Sequence, residues 1–219
     1  MNTPEIQSVV VIDDHPLIRK GLQQLADLSP HIEIIGEADD GDEGLSLVQT
    51  LKPDLVLLDL NMPGMNGIDT LAAIKQMDEN VRVVMLTVSD AEEDVVAALR
   101  HGADGYLLKD MDPADLLTKF REVAEGSIVM SPNITQCLYH ALQAEGKREQ
   151  LQGASAELTD REKEILLHLR NGESNKVIAR QLKIAEATVK VHVKHLLKKL
   201  GLKTRLEAAV WAVNNKEIL

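Results

Sequence analysis

Five short apolar runs punctuate the first 125 residues: SVVVI at 8–12, IEIIGEA at 32–38, DLVLL at 54–58, VRVVML at 81–86 and DGYLL at 104–108. Between them lie segments with helical apolar spacing, such as Leu17, Leu22, Leu25 and Leu28, or Leu116, Leu117, Phe120 and Val123. A strand with one wet face alternates apolar and polar residues. Most of these runs do not, so both of their faces must be covered. Apolar strands alternating with helices predict an α/β, doubly wound, five-stranded parallel sheet with helices on each side.

In such sheets the groups that do chemistry gather at the carboxyl ends of the strands. Here the first run ends in Asp13 and Asp14, the third in Asp59, the fourth in Thr87 and the fifth in Lys109. A single Asp after a strand is most often a turn or capping residue. Polar groups closing four of five strands weigh against that reading. Asp59 is especially informative, because a carboxylate amid Leu55, Val56, Leu57, Leu58 and Leu60 must be compensated. Three converging carboxylates repel one another unless a cation joins them, and a hard divalent ion such as Mg2+ suits an all-oxygen set. With its charge shielded, Asp59 could attack a phosphoryl group, while Lys109 and the Thr87 hydroxyl hold two of the phosphoryl oxygens.

Charge divides the chain. Residues 1–154 carry a net −16 and residues 155–219 a net +5, so one half repels polyanions and the other can bind them. A single cysteine, Cys137, excludes an intramolecular disulfide. The N-terminus MNTPEIQSVVVIDDHP has no basic segment followed by a long apolar one, and the expectation is a cytoplasmic protein.

After residue 126 the pattern changes. SPNITQCLYHAL has the spacing of a short helix and is followed by a polar stretch with two glycines, which reads as a linker over 127–154. From 155 to 219 strands are absent. Thr159 and Glu162 form a capping box before Ile165, Leu166 and Leu169. SNKVIARQL is a second, short helix, EATVKVHVKHLLKKL a longer third, and Thr204 with Glu207 starts a fourth. Two helices joined by a tight turn suggest a helix-turn-helix. At 100° per residue the third helix places Val189, Val193, Leu196, Leu197 and Leu200 on one arc. Lys190, Val191, Lys194, His195 and Lys198 lie opposite. A lysine row is often only a solvated face, but Val191 is stranded within it. A thymine methyl would give Val191 a partner, with Lys190 and Lys194 reaching guanine edges. Thr188, Lys198 and Lys199 are placed to meet phosphates.

VVVIDDHP, VLLDLNMPGMNG, MLTVSD and GADGYLLKD resemble the receiver domain of two-component response regulators, which has a flavodoxin-like fold. LTDREKEIL, SNKVIARQL and ATVKVHVKHLLKKLGLKTRLEAA resemble the four-helix DNA-binding domain of the LuxR/FixJ class. The resemblance implies a receiver over 1–126 in which Asp59 accepts phosphate from a sensor histidine kinase. Asp14, Asp59, Asp13 through water, and the Asn61 backbone carbonyl would hold Mg2+, with Thr87 and Tyr106 as a coupled switch. It also implies a domain over 155–219 that binds inverted-repeat promoter DNA as a homodimer through Leu206, Val210 and Val213. In that class the unphosphorylated receiver covers the recognition helix. Catalysis would extend only to Mg-dependent self-phosphorylation and autodephosphorylation at Asp59. LLDLNMPGMNG, ADGYLLKDM and TVKVHVKHLLKKL are further similar to the nitrate/nitrite response regulators, implying a nitrate- and nitrite-sensing membrane kinase and control of anaerobic respiratory genes.

The chain departs from the common pattern at three places. Val88 follows the switch hydroxyl where many receivers have a small residue, and is expected to crowd the pocket. Asp110 follows Lys109 where proline is common. Ala185 stands where Ser or Thr usually caps the recognition helix. Alternative readings are a regulator of the same class answering another signal, a phosphorylation-operated protein-interaction module, and a haloacid dehalogenase-type phosphatase. The last needs a second Asp where Asn61 stands, and the interaction module leaves the Lys190–Val191–Lys194 arc without a purpose.

Overall fold

The computed structural model describes residues 6–78, 81–124, 127, 129, 158–202 and 204–215. Strands β1 (Gln7–Ile12), β2 (Ile32–Ala38), β3 (Leu55–Leu58), β4 (Arg82–Thr87) and β5 (Gly105–Leu108) form one sheet in the order β2-β1-β3-β4-β5. All four pairings are parallel. Helices α1 (Pro16–Asp27), α2 (Gly41–Leu51), α3 (Gly67–Met77), α4 (Glu92–Arg100) and α5 (Pro113–Ala124) connect and follow the strands.

The side-chain period of two sends alternate residues of each strand to opposite cores. Val10, Ile12, Val56, Leu58, Val83 and Met85 pack with Leu71 and Ile74 of α3 and with Val95 and Leu99 of α4. Val9, Val11, Leu55, Leu57, Val84 and Leu86 pack with Leu22 and Ala26 of α1 and with Phe120 and Val123 of α5. The strand order reverses between β1 and β3, which opens a crevice above their carboxyl ends. Asp13 follows β1 and Asp59 follows β3, one on each side of that crevice.

The apolar stripe expected on α1 is corrected at both ends. Leu17 is 83% exposed and Leu28, which caps the helix, faces solvent, whereas Leu22 and Ala26 are buried and Ile18 packs beside them. Residues 17 and 22 are five apart and point about 140° away from each other, while 18, 22 and 26 share a face.

In the C-terminal part, α6 (Asp160–Arg170), α7 (Asn175–Leu182), α8 (Glu186–Leu200) and α9 (Arg205–Asn214) enclose a separate core of Ile165, Leu166, Leu169, Ile178, Val189, Val193, Leu196, Leu200 and Trp211. The Thr159–Glu162 capping box forms, Ser174 caps α7, and Thr204 caps α9. Gly201 ends α8 at φ 65°, a left-handed conformation that glycine adopts without strain. Only three residues separate α7 from α8, and Lys183 turns the chain there at φ 55°. The linker helix expected after residue 126, with Cys137, lies outside the described residues. Among the described residues no helix is long and apolar enough to cross a membrane.

Candidate phosphoacceptor pocket and nucleic-acid interface

The strand ends bring Asp13, Asp14, Asp59, Thr87 and Lys109 to one edge of the sheet, as expected. Asp13 and Asp59 are 1% and 2% exposed, and Thr87 is fully buried. The Lys109 ammonium compensates both carboxylates: Nζ lies 2.8 Å from Asp13 Oδ2 and 2.7 Å from Asp59 Oδ2. The Leu60 amide also donates to Asp59 Oδ1 at 2.7 Å. Burial pushes the Asp59 carboxyl up from its ordinary value and Asp13 adds to this, while Lys109 and the Leu60 amide pull it back. The pocket is thus acidic beyond what one lysine balances.

Ligand atoms of Asp13, Asp14, His15 and Asp59 all lie within 4.8 Å of one another. Asp14 Oδ1 is buried without a hydrogen-bond donor, and Asp13 Oδ2 has the Lys109 ion pair but no aligned hydrogen bond. Oxygen donors left in this condition fit a hard divalent cation such as Mg2+. Asn61 is exposed two residues beyond Asp59, in the loop that would supply its carbonyl.

Thr87 Oγ1 accepts from the Ser89 amide at 3.2 Å, and the buried Tyr106 hydroxyl donates to the Ser89 carbonyl at 2.8 Å. The β4–α4 loop therefore ties the two switch residues together. Burial, with Asp94 nearby, raises the Tyr106 phenol above its ordinary value. Val88, next to Thr87, is 70% exposed.

Two contributors escaped the sequence reading. Gly67 opens α3 so close to the phosphoacceptor loop that a Cβ there would sit 2.1 Å from the Asp59 carbonyl oxygen. Its amide donates to the Leu60 carbonyl at 2.8 Å. A glycine at a helix start is a weak signal alone, and only the fold reveals the close approach. His15 is the other, its Nδ1 2.6 Å from Asp14 Oδ1.

In the C-terminal part, Thr188, Lys190, Val191, Lys194 and Lys198 are exposed on one face of α8, opposite buried Val189, Val193, Leu196 and Leu200. Val191 is 53% exposed among these cations. Lys199 differs from the rest of the row. Its Nζ reaches Glu162 Oε2 at 2.7 Å, tying α8 to the capping box of α6. Burial would raise the Glu162 carboxyl, but hydrogen bonds from Lys199 and Thr159 outweigh it and hold the group below its ordinary value. Ala185 offers no side-chain cap to α8.

Among the described residues, the expected cover over the recognition helix is not found. Lys190 pairs with Glu186 of its own helix, and the α8 reading face is open. The last helix is covered instead. Leu206 and Val210 of α9 are buried in the cluster that includes Val81 and Ala103, at the amino ends of β4 and β5. Burial lowers the Arg205 guanidinium below its ordinary value, with Asp104 opposing this and Arg82 adding to it. Among the described residues, apolar contact of α9 joins the halves. Of the three residues expected at a dimer contact, only Val213 is exposed.

Known proteins show the same two-part layout. Residues 9–121 match the response regulator receiver domain, and residues 156–212 match the bacterial regulatory proteins of the luxR family. The chain is 49% identical to the nitrate/nitrite response regulator protein NarL of Escherichia coli K12, over 96% of this chain and 97% of that one. It is 44% identical to NarP of the same strain, over 92% of each. Among solved structures, the receiver domain of a NarL-like regulator from Mycobacterium tuberculosis is 40% identical, with a TM-score of 0.53 over 56% of this chain and 99% of that one. A LuxR-family response regulator from Aurantimonas is 32% identical, with a TM-score of 0.57 over 60% of this chain and 94% of that one. With a receiver pocket at one end and a helix-turn-helix at the other, the chain belongs to the LuxR class of two-component response regulators and is a NarL-like transcriptional regulator.

Proposed function

We propose that the protein is switched by phosphorylation at Asp59. A sensor histidine kinase supplies the phosphoryl group. An Asp59 carboxylate oxygen attacks phosphorus, the P–N bond of the kinase phosphohistidine breaks, and the imidazole takes a proton. The observation that carries this reading is the convergence of Asp13, Asp14, Asp59, Thr87 and Lys109 on one sheet edge. Mg2+, held by Asp13, Asp14, Asp59 and the Asn61 carbonyl, would supply charge neutralisation at the phosphoryl oxygens. Lys109, now paired with Asp13 and Asp59, would turn to a phosphoryl oxygen, and the Thr87 hydroxyl would donate to another. Tyr106 would follow Thr87, since both bond to Ser89. The chemistry begins and ends on the protein itself, with autodephosphorylation closing the cycle.

The working units are a receiver over 1–126, a linker over 127–154 and a DNA-binding domain over 155–219. In the second step Leu206 and Val210 leave the receiver and, with Val213, join two copies on inverted-repeat promoter sites. Lys190, Val191 and Lys194 read bases, while Thr188, Lys198 and Lys199 approach phosphates. For Lys199 this contact competes with Glu162. Similarity to NarL and NarP supports nitrate and nitrite as the signal, a nitrate-sensing membrane kinase as partner, anaerobic respiratory genes as targets and the cytoplasm as location.

The decisive experiment measures full-length protein binding to inverted-repeat promoter DNA, with and without Mg2+ and a small phosphodonor, beside Asp59→Asn. Binding that tightens with donor only in the wild type is the expected result. Binding indifferent to donor would separate the pocket from DNA recognition. No salt-sensitive binding in either state would favour a protein-interaction module.

A further inference from the structure

His15 stands at the pocket edge without a role in the reading above. It is the N-cap of α1, a position where a side-chain oxygen normally accepts from the first turn, yet it makes no such bond. Its backbone is fixed on both sides: the amide donates to Asp13 Oδ1 at 2.9 Å, and its carbonyl accepts from the Ile18 amide at 3.0 Å. The imidazole is 63% exposed but its Nδ1 faces inward. It stands 2.6 Å from Asp14 Oδ1, 3.3 Å from Asp13 Oδ1 and 4.0 Å from Asp59 Oδ2.

The shortest of these is an ion-pair contact when the ring is protonated. Asp14 Oδ1 is buried and has no donor aligned with it. The ring nitrogen and the carboxylate oxygens therefore face a common point. Donors around a six-coordinate ion at about 2.1 Å stand about 3 Å apart as neighbours and about 4 Å apart when opposite. The separations of Nδ1 from the three carboxylates are of this order.

We propose that His15 is a protein ligand of the pocket, through Nδ1, and that it shifts the metal preference of the pocket from Mg2+ towards Mn2+ and Co2+. The proposal rests on the reading of this pocket as a divalent-cation site. Mg2+ is satisfied by oxygen and water, whereas imidazole nitrogen suits first-row transition ions. A nitrogen donor beside three carboxylates discriminates between the two classes, and three carboxylates alone do so less.

The test uses chelator-stripped full-length protein: wild type, His15→Ala and Asp14→Asn. Affinities for Mn2+ and Mg2+ come from electron paramagnetic resonance of free Mn2+ and from Mg2+ competition. Electron spin-echo modulation of bound Mn2+ detects a ligating nitrogen directly. The wild type is expected to show nitrogen modulation that His15→Ala lacks. His15→Ala should lose about tenfold in Mn2+ affinity and keep its Mg2+ affinity within about twofold. Bound Mn2+ without nitrogen modulation would overturn the proposal, as would equal losses for both ions. Tighter binding of both ions by His15→Ala would also overturn it, making the ring a stand-in for the cation rather than its ligand. If Asp14→Asn leaves Mn2+ binding unchanged, the pocket reading itself fails. If Asp14→Asn abolishes binding while His15→Ala changes nothing, only the role of His15 fails.

Discussion

Asp59 remains buried because Lys109 and the Leu60 amide compensate it, and it stays in place because Gly67 has no side chain. A methyl at residue 67 meets the backbone of Asp59 and Leu60, which must shift to admit it. Gly67→Ala is therefore expected to destabilise the receiver by about 1–3 kcal/mol, the usual range for overpacking. It should also slow phosphorylation by a small phosphodonor under conditions where the variant is fully folded. Gly64→Ala is the control: residue 64 has φ 78° but nothing within 4 Å, so strain should lower stability while phosphorylation persists. Glu162 gives a second prediction at this scale. Its folded pKa is depressed, so its stabilising effect is present above the ordinary value of 4.5 and lost as pH falls through the lower folded value. Glu162→Gln should cost about 1–3 kcal/mol at neutral pH, and the difference from wild type should close in acid. Urea unfolding followed by fluorescence of the single tryptophan, Trp211, at a series of pH values measures both.

Elements were legible in the sequence where their signal was local. All five strands, the polar residues that end four of them and the two arcs of α8 follow from runs and spacing alone. The failures are equally physical. Leu17 looked like core because it is leucine in a helix, but its angular position sets it apart from Leu22. Glu162 caps α6 as its spacing predicts, but its contact with Lys199 across 37 residues of chain is not legible in any local spacing. Gly67 and His15 matter only because folding sets their atoms against others distant in sequence or at an unreadable angle. The same local reasoning yields a prediction for α8, whose N-cap is Ala185 with extended backbone and no capping bond. Ala185→Ser offers an oxygen to the first turn and should stabilise the C-terminal unit by about 1 kcal/mol. Denaturant unfolding of the full chain, read at Trp211, should show a later midpoint at unchanged slope. No gain would mean that the serine hydroxyl does not reach the α8 amides.

At the scale of the molecule, the two halves meet through the wrong face for simple occlusion of DNA contacts. The proposed reading face of α8 is exposed, and the α9 face proposed for pairing is closed against the receiver. A monomer with a usable recognition helix but no partner binds one half-site, and the gain from a second linked half-site is lost. Inhibition should therefore act on dimerisation more than on base contacts. A fragment spanning 155–219, with its own core around Leu166 and Trp211, has Leu206 and Val210 uncovered. It should bind inverted repeats without phosphorylation, while unphosphorylated full-length protein binds single and paired half-sites with similar affinity. Salt titration of the fragment separates the lysines. Lys198→Ala should reduce the log–log slope by about 0.9 for each copy bound, because one phosphate contact is lost. Lys199→Ala should lower stability more than it lowers the slope, because its ammonium is held by Glu162. A fragment that requires the receiver to bind, or full-length protein that already distinguishes paired from single sites without donor, would refute control through α9.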